Sequence, residues 1–530
     1  MGTLDWVVIG IFFLALIGII VWVVKQKQND SADYFLGGRD ATWLAIGASI
    51  FASNIGSEHL IGLAGAGASS GMAMAHWEIQ GWMILILGWV FVPFYSRSMV
   101  YTMPEFLERR YNPQSRTILS VISLISYVLT KVAVTVYAGG LVFQQVFGIK
   151  ELWGIDFFWI AAIGLVVLTA LYTIFGGMKS VLYTSVLQTP ILLLGSLIIL
   201  VLGFKELGGW DEMMSICSAV TVNEYGDTMT QLIRDNNDPN FPWLGALVGS
   251  AIIGFWYWCT DQFIVQRVLS GKNEKEARRG TIFGAYLKLL PVFLFLIPGM
   301  IAFALHQKYI GAGGEGFLPL LANGTANADA AFPTLVAKLL PAGVKGLVVC
   351  GILAALMSSL ASLFNSSAML FTIDFYKRFK PETPEKKLVG IGQIATVVIV
   401  ILGILWIPIM RSVGDVLYTY LQDVQSVLAP GIAAAFLLGI CWKRTSAKGG
   451  MWGLIAGMII GLTRLGAKVY YSNTAITDSS MFKYLFYDLN WLFFCGWMFL
   501  FCIIVVIAVS LMTEAPSAEK IQGLVFGTST

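Results

Sequence analysis

The most unusual stretch of this sequence is a polar run, Ala52–His59, inside an otherwise apolar segment of about residues 43–71. An unpaired polar group in hydrocarbon costs several kcal/mol, so amide and charged side chains at membrane depth are functional candidates by default. Small and polar residues beside Glu58 favour unwinding, and irregular backbone is tolerated at that depth only where it is buried in protein or lines a cavity. Because broken helices carry the substrate and ion sites of many secondary transporters, the run predicts that this chain binds and transports a solute.

The elements that position this run must be membrane helices. Of 530 residues, 57% are hydrophobic and 12% are charged, against about 25% charged in a typical soluble domain. Apolar segments of roughly 18 or more residues recur along nearly the whole chain, which indicates a polytopic helical membrane protein. The net charge of +3 is too small to indicate nucleic acid, and the six cysteines lack the paired spacing of a metal site or a disulfide framework.

Hydropathy predicts about 13 spans, each near the length that a bilayer requires. They lie at about 5–25, 42–70, 72–97, 117–147, 154–176, 180–205, 243–270, 279–306, 343–376, 388–410, 414–441, 447–470 and 487–512. The first lacks the basic start and the cleavage site of a signal peptide. Clusters of Lys and Arg follow alternate spans, among them Arg267 and Lys272. The positive-inside rule then places the amino terminus outside and the tail 513–530 in the cytoplasm.

Two spans are interrupted by polar residues at matching places: 42–70, and 243–270, where Gly254–Gln262 crosses the expected hydrocarbon region. Each opens a set of five spans, and because five is odd the second set enters the membrane in the opposite orientation. This order of spans is that of an inverted repeat with a binding site at the repeat interface. The predicted organisation is one transporter domain over 1–530, with an extra helix at 5–25, repeat 1 at 42–205, repeat 2 at 243–441 and carboxyl-terminal helices at 447–512.

Motifs in and around these spans resemble those of the sodium/solute symporter family, and within it the sodium/sugar cotransporter branch of the glucose/galactose type. The matching segments keep their order over about residues 5–470: Phe51–Ser57, Gly62–Gly65, Tyr101–Phe106, Tyr257–Gln262, Val265–Arg267, Tyr286–Leu289, Met357–Leu360, Phe364–Ser366 and Phe371–Asp374. The resemblance implies an all-α polytopic membrane protein with the leucine-transporter-type fold, which has two inverted five-helix repeats plus extra helices.

By this resemblance, the sugar site combines side chains from both repeats. The hydroxyls of a sugar both donate and accept hydrogen bonds, so its site needs amides, charges and an aromatic face. The positions that match sugar contacts are Asn54, His59, Glu78, Tyr257, Lys288 and Gln422. The positions that match an apolar outer gate are Leu63, Trp77 and Tyr418.

These positions also have structural interpretations. Glu78 and Lys288 could be a buried ion pair that holds helices together, although intramembrane charge is rare and usually lines a pathway. His59 could be a satisfied core imidazole, and Gln422 could form a helix–helix hydrogen bond. The aromatic residues could be packing residues or interface anchors.

Sodium (Na⁺) is the coupling ion that the resemblance implies, and a hard cation requires oxygen ligands. The matching ligands are the carbonyls of Ala52, Ile55 and Ala355 and the hydroxyls of Ser358 and Ser359. Unwinding at the polar run frees carbonyls from their helical hydrogen bonds. The alternative for the two serines is a hydrogen bond back to the preceding turn of their own helix.

Two departures from the family pattern weaken a second sodium site. Ser185 stands where some members have an Asp, and Ala361 lacks a hydroxyl that such members place after the serine pair. We therefore expect one sodium per sugar. Gly254 replaces a polar residue that reaches the sugar in relatives, which leaves the selectivity among hydroxyl positions open.

The predicted function is sodium-coupled symport of a hexose such as glucose or galactose, by alternating access. The expected location is the plasma membrane, or the inner membrane of a bacterium. The expected partners are a small sugar or polyol and the lipid bilayer, with neither nucleic acid nor an obligate protein partner. Alternatives are a symporter of myo-inositol or another small organic solute, and a non-transporting sugar sensor. No nucleophile–base pair, metal cluster or phosphate-binding loop indicates an enzyme.

Overall fold

The computed structural model describes residues 1–26, 30–56, 58–321, 323–413, 417–472 and 480–528, without the side chains of 129, 409–413, 417–423 and 472. In this part of the chain, eleven helical runs are long and apolar enough to cross a membrane. Two of the runs change direction at a glycine with positive φ, 74° at Gly71 and 54° at Gly177. When each of these two runs is counted as two helices, the eleven runs correspond to the thirteen predicted spans.

The first half of the chain is helical up to a long connection at about 219–242. Its helices are Thr3–Lys25, Ser31–Leu36, Gly37–Arg39, Trp43–Asn54, Glu58–Ser98, Met103–Arg110, Pro113–Phe147, Phe157–Leu207 and Trp210–Ser218. The short strands Glu151–Leu152 and Ile155–Asp156 form an antiparallel hairpin before the helix that begins at Phe157.

The second half is also helical. Its helices are Trp243–Thr260, Gln262–Leu269, Glu274–Gly311, Ala328–Ala330, Ala331–Leu339, Val344–Phe379, Glu385–Val413, Leu417–Cys441, Ala447–Ser472, 481–488, Trp491–Met512 and Ala518–Ile521.

Both predicted interruptions are breaks in a helix. The helix Trp43–Asn54 ends at Ile55, whose φ of −78° and ψ of 102° are extended, and a helix resumes at Glu58. The second break lies at Asp261, with φ −76° and ψ 128°, and its side chain caps the next helix by accepting from the backbone N–H of Phe263. The polar segment Gly254–Gln262 therefore contains the break at its end. We call 43–70 and 243–269 the first and second broken helices.

The helix Val344–Met369, which carries both predicted sodium-binding serines, lies at the centre of the molecule. In an apolar stretch of the run Val344–Phe379, 89% of the residues are buried, against 22% in a stretch of the same length from the helix Thr3–Lys25. It packs against the first broken helix and against the long helical run Phe157–Leu207. The buried carboxylate of Asp5 accepts from the backbone N–H groups of Gly343 and Gly346 at 2.7 and 2.8 Å. The extra amino-terminal helix thus caps the central helix.

Candidate substrate and ion site

Three ionisable side chains from three helical segments form one buried group. Lys288 Nζ lies 2.7 Å from Glu78 Oε2, and His59 Nε2 lies 3.2 Å from Glu78 Oε1 and 2.7 Å from Lys288 Nζ. None of these side chains is more than 4% exposed, so the charges of Lys288 and Glu78 must compensate each other. Gly81 gives the room for this contact, because a Cβ atom there would lie 2.6 Å from Lys288 Cγ. The structure therefore brings together three residues predicted from the sequence.

A small cavity lies beside this group, with a volume of about 20 Å³, enough for about one water molecule. Its walls are Asn54, Glu58, His59, Trp77, Gln80, Ile253, Tyr257, Trp258, Lys288 and Gln425. Sites for drug-sized molecules usually span about 300–1,000 Å³. The wall side chains have therefore closed onto one another, and a solute the size of a sugar requires them to move apart.

Three buried polar atoms at this cavity have no hydrogen-bond partner among the described residues. They are Asn54 Oδ1, His59 Nδ1 and Gln80 Oε1. Buried polar groups are nearly always satisfied in folded proteins, and each unsatisfied one costs about 1–3 kcal/mol. Three such atoms at one cavity are the arrangement expected of a site that completes its hydrogen bonds with a polar solute.

The two broken helices are joined at the cavity. Asn54 Nδ2 donates to Tyr257 Oη at 2.9 Å. On its other side the Tyr257 ring faces Lys131, whose Nζ lies 4.6 Å from the ring centroid and pairs with Asp261 Oδ2 at 2.6 Å. Asp261 also accepts from the hydroxyl of Tyr127. The aromatic wall of the cavity is thus tied to both helix breaks.

Two of the predicted sodium ligands, Ser359 and Ile55, meet where the first broken helix unwinds. Ser359 Oγ donates to the carbonyl of Ser53 at 2.7 Å and lies 3.4 Å from the carbonyl oxygen of Ile55. Gly56 permits this approach, since a Cβ atom there would lie 2.8 Å from Ser359 Oγ. Two further predicted ligands are buried on the same two helices: Ala52 and Ala355. Hydroxyl and carbonyl oxygens without a titratable group suit a hard monovalent cation.

Ser358 faces a cluster of hydroxyls instead. Its Oγ lies 3.4 Å from Ser53 Oγ and 3.3 Å from Ser185 Oγ. Arg267 enters this cluster and donates to Ser53 Oγ at 2.7 Å and to Ser49 Oγ at 3.2 Å. The sequence placed Arg267 in a basic cluster that follows a span, but its side chain is buried, and no carboxylate of the described residues pairs with it. The positive charge therefore lies beside the predicted ion site and not on a cytoplasmic surface.

The remaining predicted residues divide into three groups. The side chains of Gln422 and Tyr418 lie outside the described residues. Leu63 is fully buried but is not a wall of the cavity. Trp77 is a wall and packs edge-on against Trp491, with ring centroids 5.7 Å apart.

Several residues of the site were not predicted from the sequence. Lys131, Glu58 and Gln80 are polar residues in predicted spans, so the rarity of polar groups at membrane depth could have identified them. Trp258 and Ile253 carry no such signal, because aromatic and branched apolar residues occur throughout the spans. Glu78 is not itself a wall of the cavity and contacts two residues that are, Lys288 and His59.

Comparison with known proteins defines the class of protein. The model of the sodium:solute symporter family matches residues 34–457. The chain therefore belongs to the sodium:solute symporter family, whose members are multi-pass membrane transporters and not enzymes.

Curated relatives match almost the whole chain. The chain is 37% identical over 538 residues to sodium/myo-inositol cotransporter 2 of Homo sapiens, covering 99% of this chain and 79% of that protein. It is 36% identical to sodium/glucose cotransporter 4 of Mus musculus, covering 99% and 78%, and 37% identical to sodium/glucose cotransporter 1 of Ovis aries, covering 96% and 79%.

Solved structures confirm the predicted fold class. A Na⁺-coupled sialic acid symporter in a substrate-bound outward-open state superposes with a TM-score of 0.79 at 22% identity, covering 97% of this chain and 99% of that chain. Mhp1, a nucleobase-cation-symport-1 family transporter, superposes with a TM-score of 0.50 at 14% identity, covering 94% and 98%. The fold is the leucine-transporter type.

Proposed function

We propose that this chain couples sodium to the uptake of a neutral, polyhydroxylated ring, either a hexose or a cyclic polyol such as myo-inositol. Relatives at 36–37% identity are named as sodium/glucose and sodium/myo-inositol cotransporters. The observation that carries the proposal is the set of unpartnered polar atoms at the closed cavity, on Asn54, His59 and Gln80. Ring hydroxyls donate and accept and can satisfy all three.

The charges at the site favour a neutral solute. Lys288 and Glu78 form a contact ion pair that is neutral as a unit, so a carboxylate on the solute would add an uncompensated charge to a buried site. We assign solute binding to Asn54, His59, Glu78, Tyr257, Lys288 and Gln422, and the outer gate to Leu63, Trp77 and Tyr418. Glu78 acts in this assignment by holding Lys288 and His59.

Sodium coupling follows from the adjacency of the two sites on one helix break. The proposed sodium ligands are the carbonyls of Ala52, Ile55 and Ala355 and the hydroxyls of Ser358 and Ser359. Asn54 precedes Ile55 directly, and it donates to Tyr257 of the other broken helix. An ion that fixes the break therefore also fixes a solute-binding amide, and the gain in affinity must be reciprocal. We place the moving repeats at 42–205 and 243–441, with the extra helices at 5–25 and 447–512, in the plasma membrane.

The proposal is tested by uptake of radiolabelled glucose, galactose and myo-inositol into proteoliposomes, with and without an inward sodium gradient. We expect at least one solute to accumulate above equilibrium only when the sodium gradient is present. Accumulation in sodium-free buffer under a proton gradient would contradict sodium coupling. Binding of a sugar without accumulation would identify a sensor with the same fold.

A further inference from the structure

Gln80 is a wall of the closed cavity that the assignment of the site above does not use. It lies on the same helical run as Glu78, three residues after Trp77, and residues three apart share a helix face. Trp77 and Gln80 are both walls of the cavity, whereas Glu78 is not. Of these two walls, Gln80 carries the amide, and it also borders a larger neighbouring cavity of about 400 Å³.

The amide oxygen of Gln80 accepts no hydrogen bond from the described residues. The residue is 6% exposed, and its Oε1 is buried without a hydrogen-bond partner among the described residues. Glutamine side chains avoid such a position unless a partner is supplied from elsewhere. The neighbouring unpartnered atoms on Asn54 and His59 border the same cavity, so the missing partner is one that would satisfy several walls together.

Gly254 on the second broken helix explains how Gln80 reaches this position. A Cβ atom at residue 254 would lie 2.5 Å from Gln80 Oε1 and 3.4 Å from Gln80 Cβ. A methyl group at residue 254 would collide with the amide oxygen in its present position, so a side chain there would require the amide of Gln80 to move. The next residue along, Ile253, is itself a wall of the cavity. The absence of a side chain at residue 254 therefore admits the amide of the facing helix into the site.

We propose that Gln80 is a solute-binding residue that selects for a particular hydroxyl arrangement, and that Gly254 is the position that permits it. An amide presents a carbonyl acceptor beside an NH₂ donor. The buried amide oxygen, which lacks a partner among the described residues, matches one ring hydroxyl that donates to it. This proposal rests on the proposed function. It adds which residue of the cavity wall distinguishes solutes by the positions of their hydroxyls.

The experiment measures binding of a parent solute and of its singly deoxygenated analogues to the purified full-length protein in sodium. The parent is whichever of glucose, galactose or myo-inositol the protein accumulates. We expect Gln80→Met to weaken binding of the parent about tenfold, the loss of one neutral hydrogen bond. The analogue that lacks the hydroxyl bound by Gln80 should bind the unmodified protein and the Gln80→Met variant with equal affinity. Every other analogue should bind the variant more weakly.

Gly254→Ala supplies an independent second variant, since its methyl group should displace the amide and reproduce the same analogue-selective loss. Gln393→Met is the matched control for the glutamine, because Gln393 donates to the carbonyl of Ile174 at 3.1 Å, away from the cavity. Gly88→Ala is the control for the glycine, because a Cβ atom there meets its nearest neighbours at an ordinary 3.4 Å. Both controls should leave the analogue profile unchanged.

Four outcomes would overturn the inference. Gln80→Met could bind every analogue as the unmodified protein does, or it could weaken all of them by the same factor, which is the result of a merely structural role. Gly254→Ala could leave the profile unchanged, which would show that the amide does not need this space. If the unmodified protein accumulates and binds none of the three parent solutes, the proposed function fails first and the assignment of Gln80 fails with it.

Discussion

We expect Lys288→Met to leave the carboxylate of Glu78 buried and without its cation. The two groups are 2.7 Å apart, and their side chains are 4% and 1% exposed. At an effective dielectric constant of about 20, the attraction over this distance is about 6 kcal/mol. Part of it offsets the desolvation of both charges, and breaking one side of such a buried pair costs about 3–5 kcal/mol. The same loss of stability is expected for Glu78→Gln.

The assay is the free energy of unfolding in detergent, measured together with solute binding. The double variant Lys288→Met/Glu78→Gln removes both charges, so it should recover most of the stability that each single variant loses. It should still fail to bind solute, because Lys288 lines the cavity and its donor is gone. The matched control pair is Lys308 and Glu212, which are 3.4 Å apart but 45% and 44% exposed. Lys308→Met should cost less than about 1 kcal/mol.

Two results would refute this reasoning. A Lys288→Met protein as stable as the unmodified protein would show that the carboxylate does not depend on this cation. A stable double variant that binds solute with unchanged affinity would show that the pair only holds helices together. The second result would restore the structural interpretation of Glu78 and Lys288 and move the solute site elsewhere.

Three further predictions concern the ion, the coupling ratio and the connection before the second broken helix. Ser359→Ala should lower the apparent sodium affinity at least about tenfold and abolish sodium-driven accumulation at low sodium, because it removes an oxygen at the helix break; sodium titration of uptake measures this. A reversal-potential measurement should give one sodium per solute: at 100 mV and a tenfold sodium gradient, one ion concentrates solute roughly 500-fold, and two ions would square that ratio. Burial alone would raise the pKa of Asp238, but hydrogen bonds from the backbone N–H of Phe241, the amide of Asn223 and the N–H of Asn240 outweigh it and lower this pKa below its usual value. Its stabilisation of the connection should therefore be complete above pH about 4 and decline as the pH falls further, and Asp238→Asn should remove this dependence in hydrogen exchange of residues 219–242.

The sequence could predict both broken helices, because a polar run inside an apolar segment has few stable alternatives in a membrane. The break at Ile55 and the break at Asp261 lie within the runs identified in this way. His59, Glu78 and Lys288 are predicted from the family resemblance, and the rarity of charge at membrane depth supports that prediction. Hydropathy does not show which charged groups pair with each other. The contacts of His59 with both Lys288 and Glu78 are therefore visible only in the structure.

The positions of Gln80 and Arg267 could not be predicted from residue type, because they depend on which residues face each other in three dimensions. Gln80 reaches the cavity because Gly254 has no side chain, and a linear pattern does not reveal that these residues face each other across two helices. Arg267 lies at the end of the predicted span 243–270, and the charge pattern of the sequence groups it with the cytoplasmic charges that come after that span. Its burial follows from the break at Asp261, which starts a new helix inside the protein and carries Arg267 toward Ser53 and Ser49.

The position of Arg267 gives a physical reason to expect one sodium per solute. A second cation among the hydroxyls of Ser49, Ser53 and Ser185 would lie beside the guanidinium of Arg267, which forms no ion pair with a carboxylate of the described residues. Two unit charges about 5 Å apart at an effective dielectric constant of about 20 repel each other by about 3 kcal/mol, which is more than a hundredfold in affinity. The proposed site at Ile55 offsets the same repulsion with carbonyls released by the helix break, whereas the hydroxyl cluster has neither a freed carbonyl nor a carboxylate. Ser185→Asp would supply that carboxylate, so a coupling ratio that stays at one in this variant would show that Arg267, and not the missing acid, sets the number of ions.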